Sequence, residues 1–146
     1  MFFRKEYTFL SNFAFVPKGI IYNNLTFKSV ENAYQAAKCK SENEMKQFLD
    51  ILPTDAKKLG KTVNIREDWD DVKVSVMRDL LKQKFAYPYF RQKLKDTKDR
   101  YICEDNSWHD NFWGICHCNK CASLPDDVKQ NNLGKILMEI RESIRP

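Results

Sequence analysis

Residues 29–38 read Ser-Val-Glu-Asn-Ala-Tyr-Gln-Ala-Ala-Lys, and this stretch decides how the rest of the chain is interpreted. Ser29 is a good N-cap because its hydroxyl can accept a hydrogen bond from a backbone N–H of the first turn, so the stretch predicts a helix. Glu31, Gln35 and Lys38 are spaced i, i+4 and i+7 and therefore share one face of that helix. Charged and amide groups thus line up beside residues that are small or apolar.

The polar face of this helix has two interpretations. One is a solvated stripe with a weak polar network on the surface. The other is a carboxylate in the first turn of a helix, Glu31, facing a cleft beside the amine of Lys38. Spacing alone leaves both open. In either case Val30, Ala33, Tyr34 and Ala37 supply the core face next to the polar one.

The segments around this helix predict a mainly helical α+β fold in a single domain, residues 1–146. Two β-rich runs flank Asn23-Asn24 and predict a hairpin. The predicted strands are Phe2–Tyr7, Ile20–Tyr22, Leu25–Phe27 and Tyr101–Cys103, with a loop at Phe9–Phe13. The first helix should end near Cys39. The later helices should cover Glu42–Ile51, Pro53 to a C′ glycine at Gly60, Trp69–Phe85 after an Asp68 N-cap, Tyr89–Leu94, and Leu133–Ile144 after Asn131 or Asn132.

Composition narrows the class of protein. The 146 residues carry a net charge of +5 and five cysteines, three of them between Cys116 and Cys121, which argues against a disulfide framework. No secretory leader or apolar run of membrane-spanning length is visible, so a cytoplasmic protein without a membrane partner is expected. The basic charge suits a polyanionic partner, although simple solubility explains it equally. Four glycines exclude a glycine-rich phosphate cradle.

Further candidate site residues lie on the long helix and in the irregular segment after it. Lys84 continues the apolar stripe of the helix, so it either snorkels at the helix end or lines a pocket with a lowered pKa. Trp69 either packs in the core or stacks on a base. Between residues 105 and 130, acids and aromatics cluster around Asp110 and Trp113, which is typical of a nucleotide or carbohydrate site and also of simple loop packing.

The cysteine-rich loop raises the question of zinc. Cys116, Cys118 and Cys121 provide three thiols, but zinc usually takes four ligands from two separated pairs. Cys103 or His109 completes a set only if the fold brings one of them close. Reduced cysteines without metal are the default expectation, with a structural zinc ion as the alternative.

Six motifs in order resemble the NADAR domain, also called YbiA-like, over about residues 2–141. They are Ser11-Asn12-Phe13, the 29–38 stretch, Trp69, Lys84-Phe85, Glu104…Asp110-x-x-Trp113-Gly114, and Asn132-Leu133-Gly134…Leu137-Met138…Arg141. The resemblance implies a compact, mainly helical α+β fold and N-glycosidic hydrolysis. Its functional glutamate, tryptophan and aspartate fall on Glu31, Trp69 and Asp110, and its lysines on Lys38 and Lys84. Many members carry histidine where this chain has Asn32.

Two substrates and one other class of function follow from the resemblance. One branch of the family removes ADP-ribose from guanine in nucleic acid. Another is linked to phosphoribosylamino-pyrimidine and pyrimidinone intermediates of riboflavin synthesis. The basic charge and an altered loop before Asn132 favour the first, and a non-catalytic module that binds ADP-ribose or a nucleotide is the alternative of another class. Asn12, Phe13, Gln35, Lys84, Trp113, Gly114 and Asn132 are the expected substrate-binding residues.

The chemistry needs no metal or other cofactor. Breaking a ribose C1–N bond builds positive charge on the sugar, so we expect Glu31 and Asp110 to divide charge stabilisation, water activation and assistance to the leaving base. A covalent variant forms an imine on Lys38 or, second, on Lys84. The sequence offers Arg4, Lys5, Arg66 and Arg141 as candidates for binding phosphate and does not choose among them.

Overall fold

A computed structural model describes residues 5–145, with the backbone alone for Lys5 and Glu6. The chain divides into two compact units: a middle unit, Ser11–Pro88, and a terminal unit formed by Met1–Leu10 with Tyr89–Pro146. The prediction of one domain over residues 1–146 stays a prediction. In the described part of the chain, no helix has the length and apolar character needed to cross a membrane.

The middle unit consists of a hairpin followed by four helices. Its elements are β1 (Ile20–Tyr22), β2 (Leu25–Phe27), α1 (Val30–Ala37), α2 (Glu42–Lys46), α3 (Pro53–Leu59) and α4 (Trp69–Lys84). The predicted hairpin is confirmed: β1 and β2 pair antiparallel, with Tyr22 opposite Leu25. Asn23 and Asn24 both adopt left-handed backbone angles, φ 51° and 63°, which asparagine tolerates better than most residues and which a tight hairpin turn requires.

Helix α1 is the centre of the middle unit. Every one of its residues is buried, and it contacts β1, β2, α2, α3 and α4. Ser29 is the N-cap, as predicted, and its Oγ accepts a hydrogen bond from the backbone N–H of Asn32 at 3.1 Å. The interpretation of Glu31 and Gln35 as a solvated stripe is therefore wrong, because the helix is enclosed on all sides.

Two features of the middle unit differ from prediction for physical reasons. Helix α2 ends at Lys46, because the buried Asn32 amide donates 2.9 Å hydrogen bonds to the carbonyls of Phe48 and Ile51, where the helix was expected to continue. Asp68 makes no side-chain cap for α4. Its carboxylate instead accepts two hydrogen bonds from the Arg66 guanidinium, at 2.6 and 2.9 Å.

The terminal unit is less regular. It contains a 3₁₀ helix at Lys5–Leu10, α5 (Pro88–Lys95), β3 (Asp105–Asn106), β4 (Ile115–Cys116), a 3₁₀ turn at Asp126–Val128 and α6 (Asn132–Ser143). The two short strands pair in parallel. The strand predicted at Phe2–Tyr7 is wrong where it reaches residues 5–7, which are 3₁₀-helical, and its remainder lies outside the described residues.

The strand predicted at Tyr101–Cys103 is also absent from the described structure. Side chains, rather than a neighbouring strand, take its backbone groups. The Ile102 carbonyl accepts a hydrogen bond from Asn131 Nδ2 at 3.0 Å, and the Ile102 N–H donates to Met138 Sδ at 3.5 Å. Pairing begins only at Asp105.

Helix α6 packs with the predicted apolar face inward, and Leu133, Ile136, Leu137 and Ile140 are buried. Arg141 is buried as well, and its Nη1 donates to Thr97 Oγ1 at 2.9 Å and to the Arg100 carbonyl at 2.8 Å. Its consideration as a phosphate ligand was therefore wrong, because the guanidinium bonds the interior of the unit. Arg4 lies outside the described residues.

Candidate active site

Glu31 is a carboxylate held inside the middle unit. Its side chain lies in the first turn of α1 and is only 7% exposed. Gln35, one turn later, donates a hydrogen bond from Nε2 to Glu31 Oε1 at 2.8 Å. The Glu31 backbone N–H donates to the Asn12 carbonyl at 3.0 Å. The start of a helix favours negative charge, so the fold fixes this carboxylate where the helix dipole supports it.

Lys38 lies at the other end of the same face. Burial lowers the pKa of its ammonium group, and the negative charge of Glu31 partly opposes that shift. The Nζ atom is 5.6 Å from the centre of the Tyr34 ring, within the range of a cation–π contact. The charges of Glu31 and Lys38 are thus close enough to interact, and the cleft predicted beside them stays a prediction.

Trp69 belongs to this cluster. Its ring centre is 5.1 Å from that of Tyr34, with the planes tilted by 55°. The backbone N–H of Trp69 donates a hydrogen bond to the Arg66 carbonyl. The backbone N–H of Arg66 donates to the Lys38 carbonyl at 2.8 Å, so these bonds connect the start of α4 to the end of α1. Only 7% of Trp69 is exposed, so its principal contacts are with the protein.

Gly60 explains how Gln35 is positioned. A Cβ at this residue would lie 1.9 Å from Gln35 Oε1, so any larger residue would force the Gln35 side chain to move. The residue has ordinary right-handed helical angles, φ −60° and ψ −18°, which corrects the prediction of a left-handed C′ glycine. The pattern of the sequence gave no signal for this contact.

Lys84 is fully buried, and its Nζ donates a 2.7 Å hydrogen bond to the Ser11 carbonyl. Burial lowers the pKa of the amine to about 7. The snorkelling interpretation is wrong, and the role of lining an open pocket is corrected too, because the amine has no exposed surface. Lys84 instead holds the loop in which Asn12 meets the N–H of Glu31.

Asn12 and Phe13, two expected substrate-binding residues, lie on that loop. Asn12 is half-buried, and its Oδ1 has no hydrogen-bond partner in the part of the chain that the structure describes. Phe13 is 37% exposed, a large fraction for an aromatic side chain. The Phe13 ring is therefore accessible to a ligand, whereas the Asn12 Oδ1 atom is itself buried.

An open cavity of about 660 Å³ also lies in the middle unit. It is lined by Tyr22, Asn23, Cys39, Lys40, Met45, Arg66, Glu67 and Asp68. Glu31 does not line it, so the cavity and the carboxylate are separate features of the unit. Arg66, a candidate phosphate ligand, is at its wall with its guanidinium bound to Asp68 and to the Tyr22 hydroxyl at 3.0 Å.

Asp110 lies in the terminal unit, on the segment between β3 and β4. Its Oδ1 accepts hydrogen bonds from the backbone N–H groups of Phe112 at 3.1 Å and Trp113 at 2.8 Å, which forms a local side-chain turn. Asn106 holds the same segment: its Nδ2 donates to the Asp110 carbonyl at 2.7 Å, and its Oδ1 accepts from the Asp110 N–H. Sequence reasoning missed Asn106, since nothing in its spacing marks it.

Trp113, Gly114 and Asn132 surround the Asp110 segment. The Trp113 ring meets Phe112 edge-on at 4.8 Å. Gly114 is buried, and a Cβ there would lie 2.1 Å from the Glu104 carbonyl, so its role is close packing of the backbone. The Asn132 N–H donates to the Phe112 carbonyl at 3.0 Å, so the first turn of α6 is bonded to this segment. Substrate contacts of these three residues stay a prediction.

Comparison with known proteins gives a consistent class. The chain is 36% identical over 149 residues to the N-glycosidase Npun_R5314 of Nostoc punctiforme, covering 97% of this chain and 88% of that protein. It is 29% identical over 143 residues to the N-glycosidase YbiA of Escherichia coli, covering 95% and 82%. The NMR structure of E. coli YbiA matches with a TM-score of 0.77 at 28% identity, over 99% of this chain and 83% of that one.

A third relative has a different name. Over 134 residues the chain is 30% identical to the chloroplastic riboflavin biosynthesis protein PYRR of Zea mays, covering 82% of this chain and only 20% of that longer protein. The fold, the buried carboxylate and the relatives together define the chain as a hydrolase of N-glycosyl compounds. Residues 1–145 match the NADAR domain, and the chain belongs to the NADAR domain family. The resemblance and the mainly helical α+β fold class are confirmed.

Proposed function

We propose that this enzyme removes ADP-ribose from guanine bases in nucleic acid by hydrolysing the bond between ribose C1 and the base nitrogen. The observation that carries the proposal is the enclosed Glu31 carboxylate, bonded to Gln35 and close enough to Lys38 to affect the pKa of its amine. A fixed negative charge in a water-poor site is what a sugar-like cation at C1 requires.

The reaction follows from these groups. As the C1–N bond breaks, the electron pair leaves with the guanine and positive charge grows on the ribose, where Glu31 stabilises it. Water adds to C1 and loses a proton, while the departing nitrogen gains one. Gln35 fixes the carboxylate rotamer through its 2.8 Å hydrogen bond, so little reorganisation is needed during the reaction.

Asp110 is proposed as the second carboxylate. Two acids that divide charge stabilisation and proton transfer are typical of glycoside hydrolysis. The Asp110 Oδ1 already accepts two backbone N–H groups, which orient the side chain without help from substrate. Trp69 is proposed to stack on the base or to clamp the ribose.

Nucleic acid is favoured as the carrier of the ADP-ribose by the net charge of +5. Phe13 provides an exposed ring on which a base can stack. A cytoplasmic location fits the reduced state expected for the cysteines.

A second candidate substrate is a phosphoribosylamino-pyrimidine of riboflavin synthesis. The observation in its favour is the similarity to proteins named for riboflavin biosynthesis, from Zea mays and from Vibrio vulnificus. Its reacting bond is also a ribose C1–N bond, so the same carboxylate would act on it. The alternative of a non-catalytic binding module has less support, because relatives with high coverage are named N-glycosidases.

A competition experiment decides between the two substrates. An oligonucleotide with one ADP-ribosylated guanine and an equimolar riboflavin intermediate are incubated together with a catalytic amount of enzyme, and mass spectrometry follows both. Faster loss of ADP-ribose supports the proposal. Faster loss of the riboflavin intermediate supports the second candidate, and turnover of neither substrate overturns both.

The covalent variant needs its own test. Lys38 has an amine whose pKa is lowered by burial, so a larger fraction is neutral and able to attack an opened ribose. Borohydride added during turnover would reduce such an imine to a stable adduct on the protein. We expect no adduct, because the proposed step is direct attack by water. The base leaves with the oligonucleotide when the lysine displaces it, so a mass gain of one reduced ADP-ribosyl group that is lost in Lys38→Arg would establish the imine instead.

A further inference from the structure

Four metal-ligating side chains converge in the terminal unit, and none of them is assigned to the chemistry. They are His109, Cys116, Cys118 and Cys121, whose ligand atoms all lie within 4.8 Å of one another. His109 Nδ1 is 3.2 Å from Cys118 Sγ and 3.5 Å from Cys121 Sγ. Cys103 is not a member, since its thiol donates to Asp105 Oδ2 at 3.4 Å.

The spacing agrees with tetrahedral coordination. With bonds of roughly 2.3 Å to sulfur and 2.0 Å to nitrogen, a tetrahedral zinc ion places its ligand atoms roughly 3.5–3.8 Å apart. The two measured nitrogen–sulfur separations are at or slightly below that range. Three soft sulfurs and one imidazole are also the donor set that zinc prefers.

Hydrogen-bond donors surround two of the cysteine sulfurs as they would surround metal-bound thiolates. The N–H groups of His109 and Cys118 both point at Cys116 Sγ, at 3.2 and 3.5 Å. Asn111 donates from Nδ2 to Cys121 Sγ at 3.4 Å, and its Oδ1 accepts from the Cys116 N–H at 2.9 Å. Such donors stabilise negative sulfur and orient ligands from outside the coordination sphere.

The backbone at His109 supplies a further sign of a site. This residue has φ 68°, in the left-handed region that few residues other than glycine adopt. Side chains held in such conformations cluster where the surrounding structure or a ligand requires them. Here the conformation accompanies an imidazole that lies against two thiols.

We propose that His109, Cys116, Cys118 and Cys121 bind one structural Zn²⁺ ion, with His109 coordinating through Nδ1. The three thiols lose their protons to solvent on binding, and no electron transfer is involved. All four positions are then filled by protein, so the ion has no open site for water or substrate and serves the fold.

The ion would hold together the two ends of the segment that carries Asp110. His109 precedes Asp110 directly, and Cys116 follows it within β4, so a metal bond at each end encloses the turn at residues 110–115. Apart from two strands of two residues and a 3₁₀ turn, residues 105–130 have no regular structure in the described chain. A bound metal ion would stabilise this segment, which has few hydrogen bonds between strands.

Metal analysis of the purified full chain tests the proposal. Protein expressed with zinc in the medium should contain about one Zn²⁺ per chain. Cobalt added to chelated protein should give the absorption of tetrahedral Co²⁺ with thiolate charge-transfer bands. His109→Ala and Cys118→Ser should lose the bound metal. The matched controls, His117→Ala and Cys103→Ser, should retain it, because neither side chain belongs to the cluster.

The outcomes are distinguishable from those of the proposed function. Zinc content is measured without any substrate, so it stands whichever glycoside is hydrolysed. Folded wild-type protein with free thiols and no zinc or cobalt uptake would overturn the proposal. A disulfide among these cysteines, found by peptide mapping of freshly prepared protein, would also overturn it. Loss of metal in His117→Ala would show that the wrong histidine was chosen.

Discussion

The two carboxylates proposed for catalysis are held in opposite ways. Glu31 is on a helix that is buried on every side, and its neighbours Gln35 and Lys38 follow from helical spacing. Asp110 is on a segment with hardly any regular structure, where backbone N–H groups and Asn106 hold it. One carboxylate is therefore positioned by the core and the other by local polar contacts.

This difference predicts that the surroundings of the two carboxylates unfold locally at different free energies. Disturbing Glu31 requires a change in packed helices, so its geometry should persist until the middle unit unfolds. The Asp110 segment depends on a few hydrogen bonds and on the proposed zinc ion, so it should open at lower free energy. Hydrogen exchange should consequently be slower at α1 than at residues 105–130.

The largest expected effect is on turnover by Glu31→Gln. This change keeps the shape and a hydrogen-bonding oxygen but removes the charge, so kcat should fall by at least about a hundredfold with little change in unfolding midpoint. Steady-state kinetics and denaturant unfolding measure the two quantities. Glu42→Gln, in the first turn of α2, is the control and should turn over normally. Near-normal activity in Glu31→Gln would remove Glu31 from the mechanism.

Lys84→Met tests whether the buried amine has a lowered pKa, through the pH dependence of the unfolding free energy. Since folding lowers the pKa of Lys84 from 10.5 to about 7, the folded state binds fewer protons than the unfolded state between those values. Wild-type stability should therefore gain up to about 1.4 kcal/mol per pH unit as pH rises through that window, and lose it as pH falls towards 7. Lys84→Met should lack this contribution.

Urea unfolding of both proteins across the same pH range gives the comparison. The stability advantage of Lys84→Met over wild type should shrink as pH rises. A constant difference would mean that the amine titrates normally. Arg78→Met, on the same helix, provides a reference for the loss of one positive charge.

Asp110→Asn should have a smaller effect on turnover, with kcat falling by about tenfold to a hundredfold. An asparagine oxygen can still accept the N–H groups of Phe112 and Trp113, so the segment keeps its turn and only the charge is lost. Asp127→Asn, on the exposed 3₁₀ turn, is the control. Wild-type kcat in Asp110→Asn would leave the helix-held carboxylate as the sole acid of the reaction.

Gly60→Ala should have the smallest effect. The new Cβ would push on Gln35 Oε1, so we expect a loss of about 1–2 kcal/mol in unfolding free energy and a severalfold lower kcat through Glu31. In a Gln35→Ala background the same change should be nearly neutral, because the obstructing side chain is gone. Equal effects in both backgrounds would show that Gln35 is not the cause.

The regions also differ in how far the sequence predicts them. The Ser29 cap, the Glu31–Gln35 pair, the hairpin at Asn23-Asn24 and the buried face of α6 all follow from short-range spacing, and the structure confirms them. Two other features join residues that are distant in sequence, and no periodicity predicts them. They are the Gln35–Gly60 contact and the hydrogen bonds that replace a strand at Ile102.

The spacing of residues also did not determine which polar side chains are buried. Lys84 continues an apolar stripe, which left snorkelling and an inward position open, and only its 2.7 Å bond to the Ser11 carbonyl decides the matter. His109 is similar: its spacing to the cysteines does not match common zinc motifs, and only the structure places its Nδ1 3.2 Å from Cys118 Sγ.

The most direct test of the central claim is a single turnover in H₂¹⁸O with an oligonucleotide that carries one ADP-ribosylated guanine. Mass spectrometry should find free ADP-ribose with ¹⁸O at C1 and an oligonucleotide with unlabelled guanine, since water attacks the sugar. Unlabelled ADP-ribose kept in the same water for the same time corrects for exchange at the anomeric position. Intact substrate, or cleavage at the pyrophosphate, would contradict the account.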